Sequence, residues 1–327
     1  MIQRSLAGFL MLILLILGSL GNAARAQTAA YPSKPVRFIL FYAPGGPAEI
    51  RGRLIAQALT AQLGQPMVVE FFGGGGGAVG AAVVAKAPKD GYTIGVTGIS
   101  AFALAPLVFD VPPFSDKDLD FLALLSNSPE IIVTTPRTGL ATVQDIVREA
   151  RAEPKKLSFG SAGTSSITRL GLELLKAEAK IEMLHVPYKG IGPAITDLLG
   201  GRVQLILADA VGVQSHIISG SMKPIAVTSA RRLAVFPDVP TTAEAGYPKV
   251  LSDNYSGLVG PAGLPALISA RIAQAVKAGL SAPELVAQFA KQAVVAMPGT
   301  GEEARRIMLE ERARWTPIVR DNNIRAD

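Results

Sequence analysis

The residues best equipped for chemistry fall in two short loops. Pro44-Gly45-Gly46 ends a β-rich run at 36–42 and precedes Ile50, Leu54, Ala58 and Leu59, which are spaced as on a helix that Gly64 then stops. Ser161-Ala162-Gly163-Thr164-Ser165-Ser166 ends a second β-rich run at 157–160 and precedes a helix marked by Leu170, Leu174 and Leu175, with hydroxyls at its start. Each loop therefore leads from a strand through a glycine-bearing turn to a helix N-terminus. The unpaired amides and the positive end of the helix dipole favour an anion there, and two such loops facing each other would grip a carboxylate from both sides. Read alone, either loop is also an ordinary turn whose glycine serves the backbone.

Several side chains near these loops have two readings. Arg169, one turn into the second helix, offers either a bidentate fork to a ligand carboxylate or a structural ion pair. Tyr42 either lays its ring along a ligand or belongs to the core. Asp209 ends an apolar strand and is costly to bury alone, so it pairs across a cleft or bonds the hinge backbone. Glu49 repels a bound anion if it points inward, unless the ligand brings a cation or a donor; turned outward, it pairs with Arg51 or Arg53. Ser100, just beyond the third β-rich run, joins the expected ligand contacts.

Other chemistries are disfavoured. His185 and His216 are the only histidines, with no acids at ligand spacing, so both read as structural and no metal is expected. Trp315 reads as core. Gly75-Gly76-Gly77-Ala78-Val79-Gly80 fits G-x-G-x-x-G, but a run of five glycines at 73–77 satisfies that pattern cheaply, and no acid follows near residues 96–101 to hold a ribose. No G-x-S-x-G occurs after the first 26 residues. No catalytic residue, cofactor or enzyme activity is expected. The net charge of +6 is spread over scattered pairs such as Lys155-Lys156 and Arg231-Arg232 without interleaved aromatics, which argues against nucleic acid. The absence of cysteine excludes disulfides, thiolate metal sites and cysteine nucleophiles.

The elements that must position the two loops alternate strand and helix, as in βαβ units with a mostly parallel sheet. At 327 residues, with 49% hydrophobic and 18% charged side chains, the chain suffices for two cores. Arg4, an apolar run at 6–20 and Ala24-Arg25-Ala26 read as a secretory signal peptide cleaved after Ala26, the run being too short for a membrane span. Extended stretches at 122–135, interrupted around 126–129, and at 254–259 read as two crossings between lobes. The expected division is a signal peptide at 1–26, a first lobe of 27–126 with 255–327, and a second lobe of 127–254.

Beyond this, the chain from Tyr31 to Asp327 resembles the Bug-type periplasmic solute receptors of tripartite tricarboxylate transporters. The resemblance rests on Tyr31-Pro32-Ser33-Lys34-Pro35-Val36-Arg37, Phe41-Tyr42-Ala43-Pro44-Gly45-Gly46, Leu63-Gly64-Gln65-Pro66, Lys89-Asp90-Gly91-Tyr92-Thr93, Ser161-Ala162-Gly163, His185-Val186-Pro187-Tyr188-Lys189-Gly190 and Asp238-Val239-Pro240-Thr241, in that order. It implies an α/β, type II periplasmic-binding-protein (Venus flytrap) fold: two lobes, each with a mostly parallel sheet, joined by two crossing hinge strands. It also implies a receptor that captures a small organic acid or acidic amino acid between the lobes, partly through ordered water.

The ligand contacts expected are Tyr42, Gly45, Gly46, Pro47, Ala48 and Glu49 on one side with Ser100. On the other they are Ser161, Gly163, Thr164, Ser165, Ser166, Arg169 and Asp209. The receptor is expected to be a monomer that hands its ligand to the transporter's membrane subunits; the rival reading is a sensor of the same fold that signals to a membrane partner. Three departures from the family pattern keep ligand identity from being carried over. Pro47-Ala48-Glu49 stands where Gly-Thr-Asp is common, Phe71-Phe72-Gly73-Gly74 replaces Asn-Arg-Pro-Gly, and Ile167 and Arg169 stand where a hydroxyl residue and a histidine are usual.

Overall fold

The computed structural model describes residues 31–325. The strand β1 (Val36–Leu40) is buried at four of its five positions and pairs in parallel with β2 (Met67–Phe71) on one side and β3 (Thr93–Gly98) on the other. Burial on both faces is what an apolar run such as Val-Arg-Phe-Ile-Leu suits. The connecting helices are α1 (Pro47–Leu63) and α2 (Ala78–Ala85). α1 begins on a proline, whose missing N–H costs nothing in the first turn, and ends at Gly64, whose φ of 74° closes a left-handed cap onto Thr60 O. After β3 the chain makes a π-helical turn at Ser100–Leu104 that continues into α3 (Ala105–Val108).

β4 (Leu119–Thr134) is the long crossing strand. Up to Pro129 it lies antiparallel to β9 (Asp253–Pro261), and from Glu130 it lies antiparallel to β7 (Leu205–Asp209) and β8 (Lys223–Val227). The interruption expected around 126–129 is absent. The strand runs on with small register shifts, because its polar residues find buried partners: Ser126 Oγ lies 2.7 Å from Ser256 Oγ on β9.

The second lobe adds α4 (Val143–Ala152), β5 (Ser158–Ser161), α5 (Ile167–Ala179), β6 (Leu184–Pro187), α6 (Ile191–Leu199) and α7 (Ala210–Ile218). β5 is parallel to both β6 and β7. The chain returns to the first lobe through β9, which pairs with β3, and finishes with α8 (Ala266–Leu280), α9 (Pro283–Lys291), the two-residue β10 (Val295–Ala296) and α10 (Gly301–Asp321). The strand order is β2-β1-β3-β9-β4-β7-β5-β6, so the two crossing strands sit in the middle and a parallel trio flanks each side. This is the two-lobed α/β architecture expected from the sequence. One core packs β1, α1 and α8 around Phe38, Ile55 and Ile272, and another packs β7 and α6 around Ile206 and Ala194. A third runs from Phe41 and Phe102 to Ile167, Leu170 and Trp315 and so joins the two lobes.

Candidate functional site between the lobes

The two glycine-bearing loops meet across the interlobe cleft. Gly46 caps α1 in an extended conformation with no side-chain cap; Pro47 has no N–H and Glu49 N donates to Gly46 O at 3.0 Å, so Ala48 N is the first-turn amide left at the cavity wall. Opposite it, Ser166 caps α5 and its Oγ accepts from Arg169 N, while Ile167 N donates to Ser100 Oγ of the first lobe at 2.9 Å. Gly46, Pro47 and Ala48 on one side and Ser166, Ile167 and Thr168 on the other line a single small cavity. Tyr42, Ala43, Ser100, Ala162 and Ile191 complete its walls.

The hinge-side end of this cavity is charged. Arg51, one turn into α1, places Nη1 2.9 Å from Asp209 Oδ2 at the end of β7 and donates to Ser128 Oγ on β4 at 2.8 Å. Asn254 on β9 donates to the other Asp209 oxygen at 3.1 Å. Glu130, fully buried and opposite Asp209 in the strand register, has its pKa pushed well above the carboxylate range, first by burial and then by Asp209, while Arg51 opposes the shift. Tyr42 donates to Gly76 O at 3.0 Å, and desolvation pushes its hydroxyl up to about 12.

Of the residues expected at the ligand, the structure brings Tyr42, Gly46, Pro47, Ala48, Ser100, Ser166 and Asp209 to the cavity wall. The others lie elsewhere. Glu49 takes the outward pose: its carboxylate accepts from Gly45 N at 2.8 Å and pairs with Arg53 at 2.7 Å, and these contacts, the Gly45 amide foremost, hold it below the usual range. Gly45 is thereby occupied as well. Arg169 also leaves the cavity. Its Nη1 donates to Thr164 O at 3.0 Å and to Arg325 O at 2.8 Å, and its Nε lies 3.6 Å from Glu173, so it clamps α5 to the C-terminal segment.

Ser161, Gly163, Thr164 and Ser165 serve the loop and the seam between lobes. Ser161 Oγ accepts from Gly163 N and sits 2.7 Å from His185 Nε2, and Ser165 donates to Gly75 O of the other lobe at 2.8 Å. Gly163, with φ of 126°, packs so tightly that a Cβ would lie 2.6 Å from Gly76 N. The glycine run at 73–77 belongs to this seam, as do Gly190 and Gly192. A Cβ on Gly192 would meet Gly45 C at 2.7 Å, and Ala43 N donates to Lys189 O at 3.1 Å.

Seven wall residues were not among the expected contacts: Ala43, Arg51, Ala162, Ile167, Thr168, Ile191 and Asn254. For Arg51 a signal existed. It shares helical spacing with Ile55 and Leu59, which places a cation on the buried face of α1.

Residues 52–324 match the family described as tripartite tricarboxylate transporter family receptor. Protein BugT of Bordetella pertussis is 30% identical over 312 residues, which cover 94% of this chain and 95% of BugT. Among solved structures, an R. palustris protein with adipate superposes with a TM-score of 0.87 at 28% identity, covering 91% of this chain and all of that one. MatC from Rhodopseudomonas palustris with bound malate gives 0.85 at 26% identity, over 88% of this chain and all of MatC. With a matched segment spanning most of the chain and an architecture common to these solute-binding proteins, this protein belongs to the tripartite tricarboxylate transporter receptor family.

Proposed function

We propose that this receptor captures a small carboxylate in the interlobe cavity and presents it to the membrane subunits of a tripartite tricarboxylate-type transporter. The observation that carries the reading is the convergence of two helix N-termini, those of α1 and α5, on one cavity. The Ala48 and Thr168 amides at these termini supply hydrogen bonds to an anion without a formal counter-charge. The adipate and malate held by relatives of the same fold support the ligand class. Tyr42, Gly46, Ala48, Ser100, Ser166 and Thr168 are the contacts proposed for the carboxylate and the adjacent part of the ligand.

The protein is proposed to act as a monomer in the periplasm after cleavage of the leader at Ala26, which lies outside the described residues. Residues 27–126 with 255–327 and residues 127–254 form the two lobes that close on the ligand. No helix among the described residues is long and apolar enough to cross a membrane. Thermal unfolding of the purified protein against a panel of organic acids, sugars and amines tests the function. An acid present at 100 times its dissociation constant adds about 2.7 kcal/mol of stability and a clear rise in Tm. A rise with sugars or amines and none with any acid contradicts the reading.

A further inference from the structure

The cavity has one carboxylate pole at the helix N-termini, and its opposite end is already electrically complete. Arg51 is the only formal cation among the described residues that line it, and Asp209 neutralises it at 2.9 Å with both side chains less than a tenth exposed. Asn254 holds the second Asp209 oxygen, and Ser128 accepts from the same guanidinium nitrogen that meets Asp209. Behind them stands a second acid, Glu130, fully buried and in register with Asp209. Burial first, and then Asp209, push its carboxyl well above the ordinary range, and the ion pair at this end joins one cation to one carboxylate. The rest of the wall is mostly apolar, with Ala43, Pro47, Ala48, Ala162, Ile167 and Ile191.

A ligand carboxylate arriving at the hinge side would be a third acid competing for one guanidinium. It would either bury a net negative charge or displace Asp209 and leave that carboxylate without its counter-ion, and both are costly in a desolvated site. A methyl, methylene or aromatic terminus meets no such cost and gains from leaving water. Resting on the reading of this cavity as a carboxylate site, we infer that the Arg51–Asp209 pair sets specificity by excluding a second carboxylate, so that the receptor prefers monocarboxylates with an apolar body. In this it would differ from the relatives that hold adipate and malate.

Calorimetric titration of length-matched pairs tests the inference: hexanoate against adipate, butyrate against succinate, and benzoate against terephthalate. In the unaltered protein the monocarboxylate of at least one pair binds about tenfold or more tightly than its dicarboxylate, a difference of about 1.4 kcal/mol. In Asp209→Asn the Arg51 guanidinium loses its carboxylate partner, and the dicarboxylate of that pair gains about tenfold while the monocarboxylate changes little. If dicarboxylates bind the unaltered protein as tightly as their partners or more so, the inference is overturned and the proposed function stands. If no acid in the panel binds, both fall. The comparison in the unaltered protein decides the matter by itself should Asp209→Asn not fold.

Discussion

Arg51 on α1 and Asp209 at the end of β7 form a buried ion pair, 2.9 Å from Nη1 to Oδ2, that ties the first lobe to the second at the wall of the interlobe cavity. Because Ser128 and Asn254 from the two crossing strands join the same pair, the hinge, both lobes and the cavity share one polar cluster.

Removing the cation alone strands two buried acids. Arg51→Met is expected to cost about 3–5 kcal/mol in urea unfolding, the usual penalty for breaking a buried pair from one side. The double variant Arg51→Met with Asp209→Asn should regain much of that loss. Equal destabilisation by the single and double variants would show that the pair does not hold the hinge.

Glu130 gives a pH signature. Its pKa in the folded protein lies above its unfolded value, so the folded state binds more protons in the interval between the two. Stability from this group is therefore fully present below the unfolded carboxylate pKa and is lost as pH rises through the folded one. The charged and titratable groups acting on it are Asp209, Arg51 and Asp253. Glu130→Gln should flatten that decline, and urea midpoints at pH 5 and pH 8 should differ less than in the parent. An unchanged or steeper decline contradicts the assignment.

The glycine seam should set how far the cleft closes. A Cβ on Gly76 would lie 2.9 Å from both Ser165 C and Ser166 N across the cleft, and φ there is 64°. Gly76→Ala therefore adds a clash between the lobes to a backbone strain of about 1–2 kcal/mol. Ligand affinity should fall by about tenfold or more, and the radius of gyration by X-ray scattering should rise. Gly246→Ala carries similar strain at φ of 90° with nothing within 4 Å, so it should leave affinity alone. Equal effects of the two substitutions on binding would refute a role for the seam.

Glu49→Gln should matter little. The side chain pairs with Arg53 and Gly45 N outside the cavity, so stability should drop by about 0–1 kcal/mol, as for an exposed pair. Affinity for any bound acid should stay within about twofold. A selective change between acids with and without an amine would return Glu49 to the site.

Much of the frame was legible because local signals agreed with it. The helix at Val143–Ala152 starts where Thr142 and Asp145 make a capping box, and α1 stops where Gly64 supplies a left-handed cap. α6 and α7 were not read, and the reason is physical. Each carries a glycine that weakens a helix pattern, yet a Cβ on Gly192 would strike Gly45 C and one on Gly212 would lie 2.7 Å from Pro47 Cδ. The residues that hide these helices are the ones that let them reach the first loop. Arg169 misled for the opposite reason. Its position beside the second loop suits a ligand contact, but only the tertiary structure brings Arg325 O within its reach.

The most direct test of the central claim is a crystal structure of the protein with the acid that raises its Tm most. The account predicts the carboxylate between the N-termini of α1 and α5, its oxygens within hydrogen-bond distance of first-turn amides such as those of Ala48 and Thr168, with the ion pair of Arg51 and Asp209 intact beneath it. A carboxylate bound instead beside Arg169 and Lys176 on the outer face of α5, with the interlobe cavity holding none, would contradict it.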